Sequence, residues 1–391
     1  MRHALLWNAL EAHPMAAWLR PGEPGPPVVD PEVRLLWCGI GGSLGPAAAL
    51  VRALGTPLHQ RHWIPLAGPE PDAPALRPSD QLVLASRSGR TLELWTWIGH
   101  LRGLRGWGRW TRPPLVITAD DGNPLATWAR AEGWPLLPMP DGVGGRYAAF
   151  TPVGTLPLAW MGRDAAAFVR GARRVAAEAE ARQGIWGGRV WKAVERLVEA
   201  YGRGIRTWAL VPYAARLQGL GAWWVQLVAE SLGKADRHGV PTGLTPVPAL
   251  GPHDQHAQLQ RWIAGPRDLG VCILTVAHHH REDFLVPPPA SPFPGLERWK
   301  PSQVLRAEAE GTQMALQETG IPVLHWHLES GLTEDELGAT LMAWQLIVAL
   351  TGLALGVDPF DQPAVEAAKR WTESMLGLAP AAGPEPAAAP R

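Results

Sequence analysis

An apolar run at residues 33–38 leads directly into Gly39-Ile40-Gly41-Gly42-Ser43-Leu44-Gly45-Pro46 and then into an Ala/Leu-rich stretch. A run without polar alternation reads as a parallel strand buried on both faces, and such a strand needs helices to cover it. The glycine-rich turn between strand and helix presents backbone N–H groups where an anion can sit. It is not the dinucleotide fingerprint, because Leu44 stands where the third glycine would be, and no Gly-Lys-Ser/Thr of a P-loop follows. Alone, the turn is either a phosphate-binding loop or a tight turn with no ligand.

The same plan recurs. Residues 81–85 form a strand, Ser86-Arg87-Ser88-Gly89-Arg90-Thr91 a loop, and a helix starts at Leu92. Hydroxyls and arginines at a helix N-terminus make a phosphate cradle or, more plainly, a capped and solvated loop. Further strands are predicted at 115–118 and 136–139, followed by the loop Gly144-Gly145-Arg146-Tyr147, whose glycines let backbone approach a ligand and aim a guanidinium at it. Read without context, that loop is a turn with a surface arginine. Helical patterns over 164–202 bridge to a second α/β unit, with strands at 206–211, 270–276 and 321–328 and helices near 303–319 and 334–355. Strand and helix alternate in both halves, which predicts two doubly wound α/β domains with parallel-sheet cores. The expected division is an N-terminal segment 1–30, domains 31–185 and 186–360, a C-terminal helix 361–378 and a disordered Ala/Pro tail 379–391.

In the second half, Trp223-Trp224-Val225-Gln226-Leu227-Val228-Ala229-Glu230-Ser231-Leu232-Gly233-Lys234 reads as an apolar helix with one carboxylate. Four-residue spacing places Gln226, Glu230 and Lys234 on one face, so Glu230 is either a candidate general base or half of a surface pair with Lys234. Lysine plus arginine balance aspartate plus glutamate at 36 each, which argues against nucleic acid or an anionic membrane as the main partner. Cys38 and Cys272 sit in apolar runs and read as buried thiols of a reducing compartment. Glu11 and His13 arrive before a signal-peptide hydrophobic region can form, and the apolar stretch 341–355 is broken by Gln345, Thr351 and Gly352. A cytoplasmic protein is expected.

The motifs Gly39-Ile-Gly-Gly-Ser-Leu-Gly-Pro46, Ser86-Arg-Ser-Gly-Arg-Thr91, Gly144-Gly-Arg-Tyr147, Gln226-Leu-Val-Ala-Glu-Ser-Leu-Gly-Lys234, Asp254-Gln-His-Ala-Gln258 and Asp361-Gln-Pro-Ala-Val-Glu-Ala-Ala-Lys369 resemble, in order, the signatures of glucose-6-phosphate isomerases, in their compact bacterial form. The resemblance implies two sugar isomerase (SIS) domains, a homodimer, and metal-free, cofactor-free interconversion of glucose 6-phosphate and fructose 6-phosphate through a cis-enediolate. By that resemblance Glu230 is the base, Arg146 stabilises the intermediate, and His256, supplied by the partner subunit, opens the sugar ring with help from Lys369. Ser86, Arg87, Ser88 and Thr91 would hold the phosphate beside Gly42, Ser43 and Gly145, with Gln226 and Gln362 near the substrate. Arg87 stands where lysine is common, and Gly89 and Leu232 replace residues commonly polar in relatives.

Two alternatives accompany this reading. A dual phosphoglucose/phosphomannose isomerase would use the same base, although such enzymes tend to carry threonine where Gln226 stands. A non-catalytic sugar-phosphate-binding SIS module need not keep base, arginine and histidine together. The His278-His279-His280 run with Glu282, and the pair His325 and His327, invite a metal. Neither group coincides with the motifs, and three adjacent histidines on a strand cannot face one point.

Overall fold

The structure is a computed structural model that describes residues 3–25, 29–279, 283–286 and 289–378. The tail 379–391, His280 and Glu282, and residues 287 and 288 of the proline-rich loop lie outside the described residues. The first sheet contains β1 (Leu35–Cys38), β2 (Trp63–Leu66), β3 (Gln81–Ala85), β4 (Leu115–Ala119) and β5 (Leu136–Met139). Its order is β2-β1-β3-β4-β5, with every pairing parallel. The second sheet contains β6 (Thr207–Pro212), β9 (Thr245–Pro248), β10 (Leu269–Val276) and β11 (Val323–Leu328) in the order β11-β10-β6-β9, again all parallel. A short antiparallel ribbon, β7 (Lys234–Ala235) with β8 (Pro241–Thr242), projects beside it.

The unbroken apolar runs behave as parallel strands must. Every residue of β1, β3, β4 and β10 is buried, because helices cover both faces. β5 is the strand expected at 136–139, whereas the sequence pattern marks neither β2 nor β9. All three carry proline within the strand, at Pro65, at Pro246 and Pro248, and at Pro138, and all three are edge strands. Proline lacks the N–H that a central strand needs on both sides, so proline-bearing strands settle at edges and lose the pattern that marks buried ones.

The two sheets share a core. One continuous apolar cluster joins Trp37 and Trp160 of the first half to Leu227, Trp326 and Trp344 of the second. Its axis is the helix Glu334–Leu355, in which every residue from 336 to 352 is buried. By length and composition this helix could cross a membrane, but it is enclosed by its own chain. It packs closely on the helix Ala165–Ala181: a Cβ at Gly338 would lie 1.9 Å from the Phe168 carbonyl oxygen, so only glycine admits that backbone approach.

The apolar stretch around Glu230 is the helix Gln218–Leu232, with Gly233 as its C-cap. Lys234 therefore lies outside the helix, as the first residue of β7, and does not share the face of Glu230. This corrects the four-residue spacing argument, in which the periodicity was carried past a glycine stop.

Cys38 and Cys272 are both fully buried, and burial pushes the Cys38 thiol up to about 12 and that of Cys272 upward as well. The thiolate is the reactive form, so neither thiol should react with Ellman's reagent at pH 8 until the protein is unfolded. Rapid labelling of either in the native state would contradict this packing.

Candidate active site

The arrangement starts from a backbone contact. Gly41–Ser43 form a single 3₁₀ turn after β1, and a Cβ on Gly42 would lie 2.2 Å from the carbonyl carbon of Gly145. A side chain at position 42 would push away the loop that carries Arg146, which explains a glycine there in physical terms. From Gly145 the chain enters the 3₁₀ segment Gly145–Phe150, where Arg146 to Phe150 are all buried.

Arg146 is 4% exposed, and all five of its N–H donors are used. Nε donates to Ser231 Oγ at 2.9 Å, and Nη1 donates to Glu230 Oε2 at 3.2 Å and to Gln362 Oε1 at 2.6 Å. Nη2 donates to the carbonyl oxygens of Pro359 at 2.8 Å and Asp361 at 3.0 Å. Gln226 Nε2 donates to the other oxygen of Glu230 at 3.1 Å, as residues one helical turn apart allow. The carboxylate is thus held by one residue on each side and remains partly open to solvent. Glu230 pairs with Arg146, and the surface pair with Lys234 is not made.

Lys234 instead reaches the segment that follows the long core helix. Its Nζ donates to Asp358 O and Asp361 Oδ1, each at 2.6 Å, and to Asp361 O. Burial lowers the ammonium from the ordinary lysine range, and the Asp361 carboxylate opposes that shift. Tyr147 lies under the site, hydrogen-bonded to Ser231 Oγ at 3.1 Å and stacked on Trp18 at 4.8 Å, and burial pushes its phenol up to about 12.

The loop after β3 forms a neighbouring recess. Ser86 is buried and shares a hydrogen bond of 2.7 Å with Thr91 Oγ1, while Ser88 Oγ accepts from the Arg90 N–H at 3.3 Å. Arg87 and Ser88 line a cleft of about 300 Å³ with Arg90, Ala119, Asp121, Gly122 and Asn123. Arg87 Nε is buried with no partner among the described residues, so a donor beside this recess lacks an acceptor. Ser43 lies at the end of the first turn, its carbonyl accepting from Trp37 Nε1 at 2.8 Å.

Two predicted residues are not joined to this cluster within one chain. His256 is exposed, just after the 3₁₀ turn His253–Gln255. Lys369 lies on the helix Val365–Met375, none of whose residues is buried, and among the described residues its ammonium bonds only Glu366, at 2.6 Å. A larger cleft of about 570 Å³ lies elsewhere, at the edge strand β11. There His325 and His327 both hydrogen-bond Thr275 Oγ1, at 2.9 and 2.7 Å, and among the described residues no three His, Cys, Asp or Glu side chains converge as metal ligands.

Ser231 and Asp361 are contacts that motif reading did not assign. A small polar residue inside an otherwise apolar helix requires a partner, and that was the available signal for Ser231.

No family model matches the chain. It is 37% identical over 361 residues to a glucose-6-phosphate isomerase of Thermus thermophilus, an alignment that takes in 86% of this chain and 82% of the relative. Among solved structures it resembles a hypothetical protein, also of Thermus thermophilus, at 30% identity and a TM-score of 0.81, covering 95% of this chain and 94% of that one. It also resembles a glucose-6-phosphate isomerase of Chlamydia trachomatis, at 21% identity and a TM-score of 0.67, covering 96% and 73%, which bears on fold alone. Two parallel α/β sheets wrapped in helices, shared with phosphosugar isomerases, define a doubly wound SIS fold. With the identity extending over most of both sequences, the chain belongs to the glucose-6-phosphate isomerase family.

Ser231→Ala would leave the buried Arg146 Nε without an acceptor. Urea unfolding should show a loss of about 1–3 kcal/mol. An unchanged midpoint would mean that this bond contributes nothing.

Proposed function

We propose that the protein interconverts glucose 6-phosphate and fructose 6-phosphate; its relatives are named glucose-6-phosphate isomerases. The observation that carries this reading is the single carboxylate of Glu230, fixed between Gln226 and the saturated guanidinium of Arg146 and still reachable by solvent. Moving a carbonyl between neighbouring carbons requires that a carbon-bound proton be taken from one and returned to the other. One carboxylate can do both, receiving the proton at Oε1 or Oε2 and giving it back to the adjacent carbon.

Between those transfers the substrate is an enediolate, with negative charge on oxygen. A cation already held in position interacts more strongly with that charge than with the neutral carbonyl, which lowers the barrier. In this reading Arg146 is that cation. Ser231, Gln362 and the two carbonyls fix it in advance, so little reorganisation is needed as charge develops.

The phosphate group is assigned to Ser86, Arg87, Ser88 and Thr91, beside Gly42, Ser43 and Gly145. The paired hydroxyls of Ser86 and Thr91 and the unpartnered Arg87 Nε support this placement. Gln226 and Gln362, which orient Glu230 and Arg146, are assigned to the sugar. Ring opening is assigned to His256 with Lys369 assisting. A histidine titrates near neutrality and suits that step. Since both residues are exposed on a single chain, a homodimer that brings His256 across the interface is part of the proposal, as are a cytoplasmic location and a place in glycolysis and gluconeogenesis.

A coupled assay on fructose 6-phosphate tests the activity, and mannose 6-phosphate turned over equally fast would shift the reading to the dual-specificity enzyme. Glu230→Gln should still bind substrate while kcat falls by about 10²–10⁴-fold. Unchanged turnover would remove Glu230 from the mechanism.

A further inference from the structure

The chain beyond the core helix is anchored in steps. Phe360 is buried against Tyr147, at 5.1 Å between ring centroids, and His13, at 4.5 Å, with Trp18 further off. After Phe360, every residue from 361 to 378 is exposed except the half-buried Glu373. The polar anchors between Phe360 and the helix Val365–Met375 are the contacts of Lys234 and Arg146 with Asp361, and of Arg146 with Gln362. The Asp361 carbonyl accepts from both cations. Lys234 is the more specialised of the two. Its side chain is 11% exposed, and its three N–H donors are accounted for by Asp358 O, Asp361 O and Asp361 Oδ1.

From this geometry we infer that Lys234 is a positioning residue for isomerisation: paired with Asp361, it latches the start of the C-terminal segment and so places the helix bearing Lys369, while Gln362 is held by Arg146. The inference rests on the proposed role of Lys369. Lys234 touches no reacting atom in this account. It acts through where residues 361–369 are held. A buried ammonium is retained only if its partners are well placed, because desolvating it is costly. Its acceptors all lie in residues 358–361, so removing it releases the Asp361 side chain, while Arg146 still holds the Pro359 and Asp361 carbonyls, and the loosening falls on the exposed chain that follows. Phe360 keeps its own apolar contacts, which should leave the two-sheet body folded.

Lys234→Met keeps the length of the side chain and deletes the charge. The expected results are faster amide hydrogen exchange confined to 363–378, an almost unchanged thermal midpoint, and a kcat lower by about tenfold or more, since misplacement of a catalytic group by about 1 Å can cost about 10²-fold. KM should change by less than about twofold because the phosphate cradle is untouched. Asp361→Asn should move exchange and kcat the same way. In a Lys369→Met background, Lys234→Met should cost less than about threefold more, as coupled residues are not additive. Unchanged exchange and kcat in Lys234→Met would overturn the inference, and so would an equal loss of kcat in the Lys369→Met background. If Lys369→Met alone retains full activity, the reading of Lys369 fails, and the exchange measurement still decides whether the latch exists.

Discussion

Much of the candidate site hangs on one buried guanidinium. A charge 4% exposed is tolerable only when its donors are matched, and Arg146 matches all five with acceptors from two distant parts of the chain. Its own loop is seated by the absence of a side chain at Gly42. Ser231 and Glu230 come from the helix Gln218–Leu232, and Pro359, Asp361 and Gln362 from the segment beyond the core helix. Taking away any one partner strands a buried donor, so the requirement of charge satisfaction holds the pieces in register.

The same contact connects packing to chemistry. Two parallel sheets with a shared apolar core bring the turn after β1 and the end of the Gln218–Leu232 helix within reach of each other. Arg146 thus meets Glu230 through a rigid body, with Gln226 one turn below it. His256 and Lys369 lie instead on exposed turns and helices. The chemistry assigned to them, opening the ring, thus depends on parts that a single chain leaves uncovered, whereas the proton-transfer pair is built inside it.

What could be read from the residues follows the physics of each signal. The strands β1, β3, β4 and β10 stood out because burial on both faces leaves an uninterrupted apolar run. The edge strands β2 and β9 did not, because proline breaks that run and is tolerated only at an edge. Arg146, Glu230, Gln226, Gln362, Gly42 and Gly145 lie in four separate motifs and meet in one place. Ser231, Lys234 and Asp361 acquire their contacts from residues more than eighty positions away, which no local pattern encodes. Lys234 shows the failure most plainly: four-residue spacing placed it beside Glu230, but Gly233 ends the helix and turns it toward Asp361.

The central claim is that Glu230 carries a proton between neighbouring carbons while the fixed charge of Arg146 stabilises the enediolate. Its most direct test is the conversion of fructose 6-phosphate in deuterated water, with product analysed for carbon-bound deuterium. A carboxyl group that exchanges with solvent between its two transfers should leave deuterium at carbon 2 of the glucose 6-phosphate formed. Complete turnover with no carbon-bound deuterium would mean that the hydrogen never reaches a group in exchange with solvent, and would contradict transfer by a carboxylate that stays open to solvent.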